Sequence, residues 1–167
     1  YILSILNKNR MKNPKISIIT VVKNNKDYIE KNILSLINQN YKNYEHIIID
    51  GGSTDGSKDI IQNYSQNIAH FVSEQDDGIY DAMNKGLDLA SGDIVGILNS
   101  DDYFYENALQ IVKTYFENMP HIDFLFGSVH KHNIKFGFYP KKIFWTFNFY
   151  TAHSLGFFIK LSSQKKV

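Results

Sequence analysis

Residues 94–102, Ile-Val-Gly-Ile-Leu-Asn-Ser-Asp-Asp, place a short apolar run directly before a polar corner. An apolar run without alternating polar residues is typical of a strand that is buried on both faces of a sheet. We therefore predict a strand over residues 94–98, which leaves the sheet at the corner formed by residues 99–102. A helical pattern follows over residues 106–118 and ends before Pro120.

Three similar units precede this one, and each combines an apolar run, a polar turn and a helical pattern. The predicted strands are Ile16–Val22, Tyr44–Asp50 and residues 69–74; the helices between them include Ile29, Ile33, Leu36 and Ile37 on one face, residues 57–64, and residues 79–90. A fifth strand is predicted over residues 122–129. This alternation predicts an α/β fold with a mostly parallel central sheet and helices on both faces.

Ligands of such sheets bind beyond the carboxyl ends of the strands. Polar residues follow the four predicted strands at these ends, in segments 20–24, 50–55, 75–78 and 99–102. We therefore expect these four segments to line one cleft.

The composition is that of one globular domain, since 43% of the 167 residues are hydrophobic and 14% are aromatic. The 18 Lys and Arg residues nearly balance the 17 Asp and Glu residues, so the net charge of +1 indicates no nucleic-acid partner. The chain has no cysteine, which excludes disulfides, thiolate metal sites and cysteine nucleophiles.

The corner Asn99-Ser100-Asp101-Asp102 brings two carboxylates and an amide to the end of a strand. Like charges repel there unless a cation lies between them, and oxygen ligands suit Mg²⁺ or Mn²⁺. The alternative is a capping turn in which Asp101 or Asp102 only begins the next helix.

The end of the second strand has an acidic residue followed by a glycine-rich turn, Asp50-Gly51-Gly52-Ser53-Thr54-Asp55-Gly56. Asp50 is expected to lie in the cleft, where it can accept hydrogen bonds from a ribose or a base, rather than in the core. The first strand is not followed by Gly-x-Gly-x-x-Gly, which disfavours NAD and FAD, and the absence of a Walker pattern disfavours an ATPase.

Five stretches between about residues 14 and 102 resemble family 2 of the glycosyltransferases, which have the GT-A fold. These stretches are residues 16–24, 35–41, 44–57, 74–92 and 94–102. Residues 77–86, Asp-Gly-Ile-Tyr-Asp-Ala-Met-Asn-Lys-Gly, are most similar to bacterial enzymes that build O-antigen and other surface polysaccharides. Many relatives have a second Asp where this chain has Gly51, and an Asp where it has Asn99.

The resemblance also implies roles for individual residues. Thr20, Val22 and Asn24 would surround the base and ribose, Asp50 would bind the uridine portion, Asn99 would contact ribose or metal-bound water, and Asp101 with Asp102 would hold the metal on the diphosphate. Lys85 would meet a phosphate, with a solvated helix lysine as the alternative. His153 would face the diphosphate, with an ordinary loop histidine as the alternative.

The implied activity is metal-dependent transfer of a sugar, with inversion, from a nucleotide diphosphate donor to an acceptor hydroxyl in bacterial surface-polysaccharide synthesis. The expected donor is a UDP-sugar and the expected acceptor is a glycan or lipid-linked glycan. The expected location is the cytoplasm, at the inner face of the plasma membrane. Peripheral membrane association and a homo-oligomer are compatible with this interpretation. Alternatives are a nucleotide-sugar-binding protein without turnover and a sugar nucleotidyltransferase, although residues 22–25 do not form the glycine-rich cationic loop that nucleotidyl transfer favours.

We expect three parts along the chain: a leader over residues 1–12, a nucleotide-sugar-binding core over residues 13–135, and the incomplete start of an acceptor-side region over residues 136–167. Met11 is the expected natural first residue. The catalytic base is expected beyond residue 167, because the residues that follow His153 include no Asp or Glu.

Overall fold

The computed structural model describes residues 11–127, 129–131, 134–136 and 156–164. The strands are β1 Ile16–Val22, β2 Tyr44–Asp50, β3 His70–Ser73, β4 Ile94–Ile97, β5 Phe124–Phe126, β6 Val129–Lys131, β7 Ile134–Phe136 and β8 Phe157–Lys160. The helices are α1 Lys26–Ile37, α2 Ser57–Asn63, α3 Ile79–Leu89, α4 Ala108–Asn118 and α5 Leu161–Gln164, with a 3₁₀ turn at Ser65–Asn67. This architecture confirms the predicted α/β class.

The central sheet has six strands in the order β3-β2-β1-β4-β8-β5. Strands β1 to β4 run parallel to one another, as predicted, and β8 pairs antiparallel with both β4 and β5. The predicted fifth strand over residues 122–129 was too long, because β5 ends at Phe126 and Val129 belongs to the separate β6–β7 hairpin. The insertion of β8 was not predicted.

Helices cover both faces of the sheet. On one face, α1 and α4 pack on β1 and β4 through a cluster that includes Leu36, Phe116 and Ile18, and α2 joins them through Ile61. On the other face, Ala82 of α3 packs with residues of β1, β2 and β4. The helix α3 lies directly on β1, since a Cβ at Gly86 would overlap the Ile19 side chain.

Met11 falls inside the predicted leader, but its side chain packs against the core cluster around Phe116. Residues 1–10 lie outside the described residues. Within the part of the chain that the structure describes, no helix combines the length and the apolar character that a membrane crossing requires. The domain boundaries stay predictions.

Candidate functional site

The carboxyl ends of β1, β2, β3 and β4 meet at one edge of the sheet, and backbone hydrogen bonds tie the ends together. Gly51 N donates to Val22 O over 2.9 Å, Glu74 N to Asp50 O over 3.0 Å, and Leu98 N to Ile19 O over 2.9 Å. The segments after these strands are therefore neighbours, and the topology places the acidic corner at the same edge as the turn that follows β2.

Asp50 ends β2 and is completely buried. Its carboxylate accepts from Ser53 N over 3.1 Å and from Ser73 Oγ over 2.6 Å, while Lys58 Nζ lies 3.8 Å away. The carboxylate thus closes the glycine-rich turn and joins it to the end of β3. Asp50 is covered, contrary to the expectation that it lies in the cleft rather than in the core.

Asn24 is exposed and links the loop after β1 to the turn after β2. Its backbone N donates to Ser53 Oγ over 2.8 Å, and its Oδ1 accepts from Thr54 N over 2.8 Å. The residue has a left-handed backbone conformation with φ of 52°, which asparagine tolerates better than most side chains. Asn24 therefore lies at the predicted cleft.

Asp55 connects the starts of two helices. Its carboxylate accepts from Ser57 Oγ over 2.6 Å and from Lys26 N over 3.0 Å. The hydrogen bond from Ser57 is the main reason that the pKa of Asp55 is lowered to about 2. The carboxylate thus stays ionised and holds α1 and α2 side by side.

The side chains of Thr20 and Val22 are buried. Val22 is buried with Ile29, Ile33 and Ile48 in the layer beneath α1. Thr20 is buried in the same layer, and its hydroxyl contacts side chains of α1 and β2. The side chains of both residues therefore have structural contacts, and their nucleotide contacts stay predictions.

The acidic corner is anchored to α1 by amide side chains. Asn32 Nδ2 donates to the backbone carbonyls of Asn99 over 2.8 Å and of Asp102 over 3.0 Å. Asn25 Nδ2 donates to Ser100 Oγ over 2.7 Å. The loop is thus held at three points, while the side chain of Asp101 is exposed.

A buried chain of hydrogen bonds continues behind Asn32. Thr20 Oγ1 lies 3.2 Å from Asn32 Oδ1 and 2.9 Å from His46 Nε2. Because Asn32 Oδ1 can only accept, the Thr20 hydroxyl donates to it, and His46 must then donate from Nε2. Burial lowers the pKa of His46 to about 3, so a neutral imidazole orients the amide that holds the acidic corner.

Ser35 of α1 and Gln39, which follows the C-cap of this helix, hold the residues that come after the corner. Ser35 Oγ accepts from Phe104 N over 3.2 Å. Gln39 donates to Tyr105 O over 2.9 Å and accepts from Leu109 N over 3.1 Å. The helix α1 and the residues directly after it therefore position the segment from the end of β4 to the start of α4.

Residues 17–164 match the sequence model of Glycosyl transferase family 2. The chain belongs to this family. It is 38% identical over 100 residues to a putative teichuronic acid biosynthesis glycosyltransferase, TuaG, of Bacillus subtilis, an alignment that covers 58% of the chain and 40% of TuaG. The chain spans about two fifths of the length of such curated relatives.

Solved structures confirm the predicted GT-A fold of this family 2 chain. TarS of S. aureus in complex with UDP-GlcNAc superposes with a TM-score of 0.75 at 23% identity, covering 91% of this chain and 47% of TarS. The mannosyltransferase PcManGT of Pyrobaculum calidifontis, in complex with GDP-Man and Mn²⁺, superposes with a TM-score of 0.62 at 24% identity, covering 71% and 36%.

The donor atoms of the acidic corner suit a hard divalent cation. Asp101 and Asp102 offer carboxylate oxygens, and Mg²⁺ commonly takes one or two carboxylates together with substrate phosphates and water. Among the described residues, no group of three or more His, Cys, Asp or Glu side chains is placed to hold a metal ion. A metal held here would therefore take its remaining ligands from the diphosphate and from water.

Lys85 is engaged by two carboxylates in the family 2 chain. Its Nζ lies 2.7 Å from Glu74 Oε1 and 3.0 Å from Asp81 Oδ2, and these hydrogen bonds raise the pKa of Lys85. A phosphate contact of Lys85 stays a prediction, and it would have to compete with both carboxylates. His153 lies outside the described residues.

Asn32 and His46 were not among the predicted site residues. Asn32 falls three residues after Ile29 and four before Leu36, inside the apolar face of α1, and a polar residue in a buried stripe needs a partner. His46 directly precedes the apolar run Ile47-Ile48-Ile49 of β2. Both positions could have been noticed as polar exceptions, but their partners depend on the tertiary structure.

Proposed function

We propose that this family 2 chain binds a UDP-sugar with Mg²⁺ or Mn²⁺ and transfers the sugar, with inversion, to an acceptor hydroxyl. The observation that supports this most directly is the acidic corner. Asn32 and Asn25 fix its backbone at the end of β4, while the Asp101 side chain stays exposed toward solvent. Such a fixed and accessible acidic group suits metal-assisted binding of a diphosphate.

In this proposal, Asp101 and Asp102 bind the metal, and Asn99 contacts the ribose or metal-bound water. The metal, when bound, acts as a Lewis acid that neutralises the departing diphosphate. Asn24 is exposed and contacts the nucleoside in this proposal. Its hydrogen bonds with the turn that follows β2 hold it at the edge where the strands end. Asp50 supports the same site by fixing this turn from below.

The names of similar proteins support the choice of donor and pathway. TarS was solved with UDP-GlcNAc and with UDP, and PcManGT with GDP-Man and Mn²⁺. TuaG is named for teichuronic acid biosynthesis. We propose a bacterial surface polysaccharide as the product, a glycan or lipid-linked glycan as the acceptor, and action in the cytoplasm at the inner face of the plasma membrane.

Calorimetric titration of the chain with UDP, GDP and their sugars, in MnCl₂ and in EDTA, tests the donor part of the proposal. We expect UDP to bind at least about tenfold more tightly with Mn²⁺ than with EDTA, a difference of about 1.4 kcal/mol. Equal affinity in EDTA, or no binding of any nucleotide, would contradict the proposal. The anomeric configuration of a transferred sugar, determined by NMR, tests inversion.

A further inference from the structure

The carboxylate of Asp76 covers the backbone of Gly51, the residue after Asp50. A Cβ at position 51 would overlap Asp76 Oδ2, so the glycine is what allows the carboxylate to lie there. The side chain of Asp76 is only 7% exposed. A carboxylate is therefore packed against the end of β2, at the edge where the four strand ends meet.

The two oxygens of this carboxylate differ in their contacts. Oδ1 accepts from Gly78 N over 3.1 Å and lies 3.9 Å from Lys23 Nζ. Among the residues that the structure describes, none donates a hydrogen bond to Oδ2. Oδ2 can therefore accept a hydrogen bond from a ligand, and a ligand that donates to it would gain affinity.

We propose that Asp76 selects the base of the donor, by accepting a hydrogen bond at Oδ2 from the ring N3–H of uracil beside Gly51. This inference rests on the proposed donor binding. An ionised carboxylate can only accept. Uracil presents one ring N–H, which matches one open oxygen, whereas cytosine presents an acceptor at ring N3 and guanine presents two adjacent donors.

The location agrees with this role. Lys23, Gly51 and Asp76 follow β1, β2 and β3, which are adjacent strands, and the acidic corner follows β4 on the far side of β1. Strands β2 and β4 are two strand spacings apart, about 10 Å. The base would thus lie over the ends of β1 to β3, and the diphosphate would extend toward Asp101.

The decisive variant is Asp76→Asn, titrated calorimetrically with UDP and CDP in MnCl₂. The new amide can keep the hydrogen bond from Gly78 through its oxygen, while its NH₂ group replaces Oδ2 and donates to cytosine N3 instead. We expect the ratio of UDP affinity to CDP affinity to fall by at least about tenfold. Asp59→Asn, which removes the same charge from an exposed residue of α2, is expected to leave the ratio unchanged.

A second measurement uses the unaltered protein and so does not depend on the folding of a variant. N3-methyluridine 5′-diphosphate lacks the N3–H and should bind at least about tenfold more weakly than UDP. An unchanged UDP to CDP ratio in Asp76→Asn, or equal binding of the methylated nucleotide, would overturn the role of Asp76. If the unaltered protein bound no nucleoside diphosphate at all, the proposed function itself would fail.

Discussion

Asn32 Nδ2 donates to the backbone carbonyl of Asp102 over 3.0 Å, so a residue in the middle of α1 fixes the loop that is proposed to bind metal. The same amide group also holds Asn99 O. Asn32 itself is oriented by the buried Thr20 and by neutral His46. The position of the acidic corner therefore depends on a buried network rather than on the loop alone.

The variant Asn32→Asp tests this dependence. It replaces the donating NH₂ group with an oxygen that faces two carbonyl oxygens, which should destabilise the fold by about 2 to 4 kcal/mol. We expect the folded fraction to bind UDP more weakly in MnCl₂, with a smaller loss in EDTA. Asn38→Asp, at the exposed C-cap that follows α1, is the control. Full Mn²⁺-dependent affinity in folded Asn32→Asp would show that the corner does not need this anchor.

The burial of Asp50 predicts a cost in stability when its carboxylate is removed. In Asp50→Ala, Ser53 N and Ser73 Oγ lose their acceptor, and we expect the free energy of unfolding to fall by about 3 kcal/mol. Asp50→Asn keeps an acceptor for Ser53 and should lose less. Urea denaturation measures both changes. Wild-type stability in Asp50→Ala would mean that these hydrogen bonds contribute little.

Because His46 is buried with a lowered pKa, we expect the protein to lose stability in mild acid. Its pKa is about 3 in the folded protein and about 6.5 when unfolded, so between these values the unfolded chain binds one more proton. The stability present above pH 6.5 should therefore be lost as the pH falls, at about 1.4 kcal/mol per pH unit between pH 6 and 4.5. Urea denaturation should show a shallower slope for His46→Gln. Equal slopes would mean that His46 does not titrate as its burial predicts.

Local patterns predicted most of the parallel sheet. The strands β1 and β2 have the predicted bounds, because runs rich in apolar residues that end in polar turns leave little ambiguity. The strand β8 could not be predicted in the same way, since it pairs antiparallel between two strands that are distant in sequence. Such pairing depends on the whole chain rather than on a local period.

The candidate site was predictable in its location but less so in its contacts. Because the carboxyl ends of parallel strands meet at one edge of a sheet, the segments after β1, β2, β3 and β4 were predicted to lie together. It could not show that Asp50 would be fully buried, or that Asp76 would lie against Gly51. These arrangements follow from how the turns pack on one another, which residue spacing does not encode.

The most direct test of the central claim is calorimetric titration of Asp101→Asn with UDP in MnCl₂. We expect its dissociation constant to rise at least about tenfold, equivalent to about 1.4 kcal/mol, toward the value of the unaltered protein in EDTA. The matched control is Asp88→Asn, an exposed aspartate near the end of α3, which should bind as the unaltered protein does. Unchanged Mn²⁺-dependent affinity in Asp101→Asn would contradict the claim that the acidic corner binds the metal and the diphosphate.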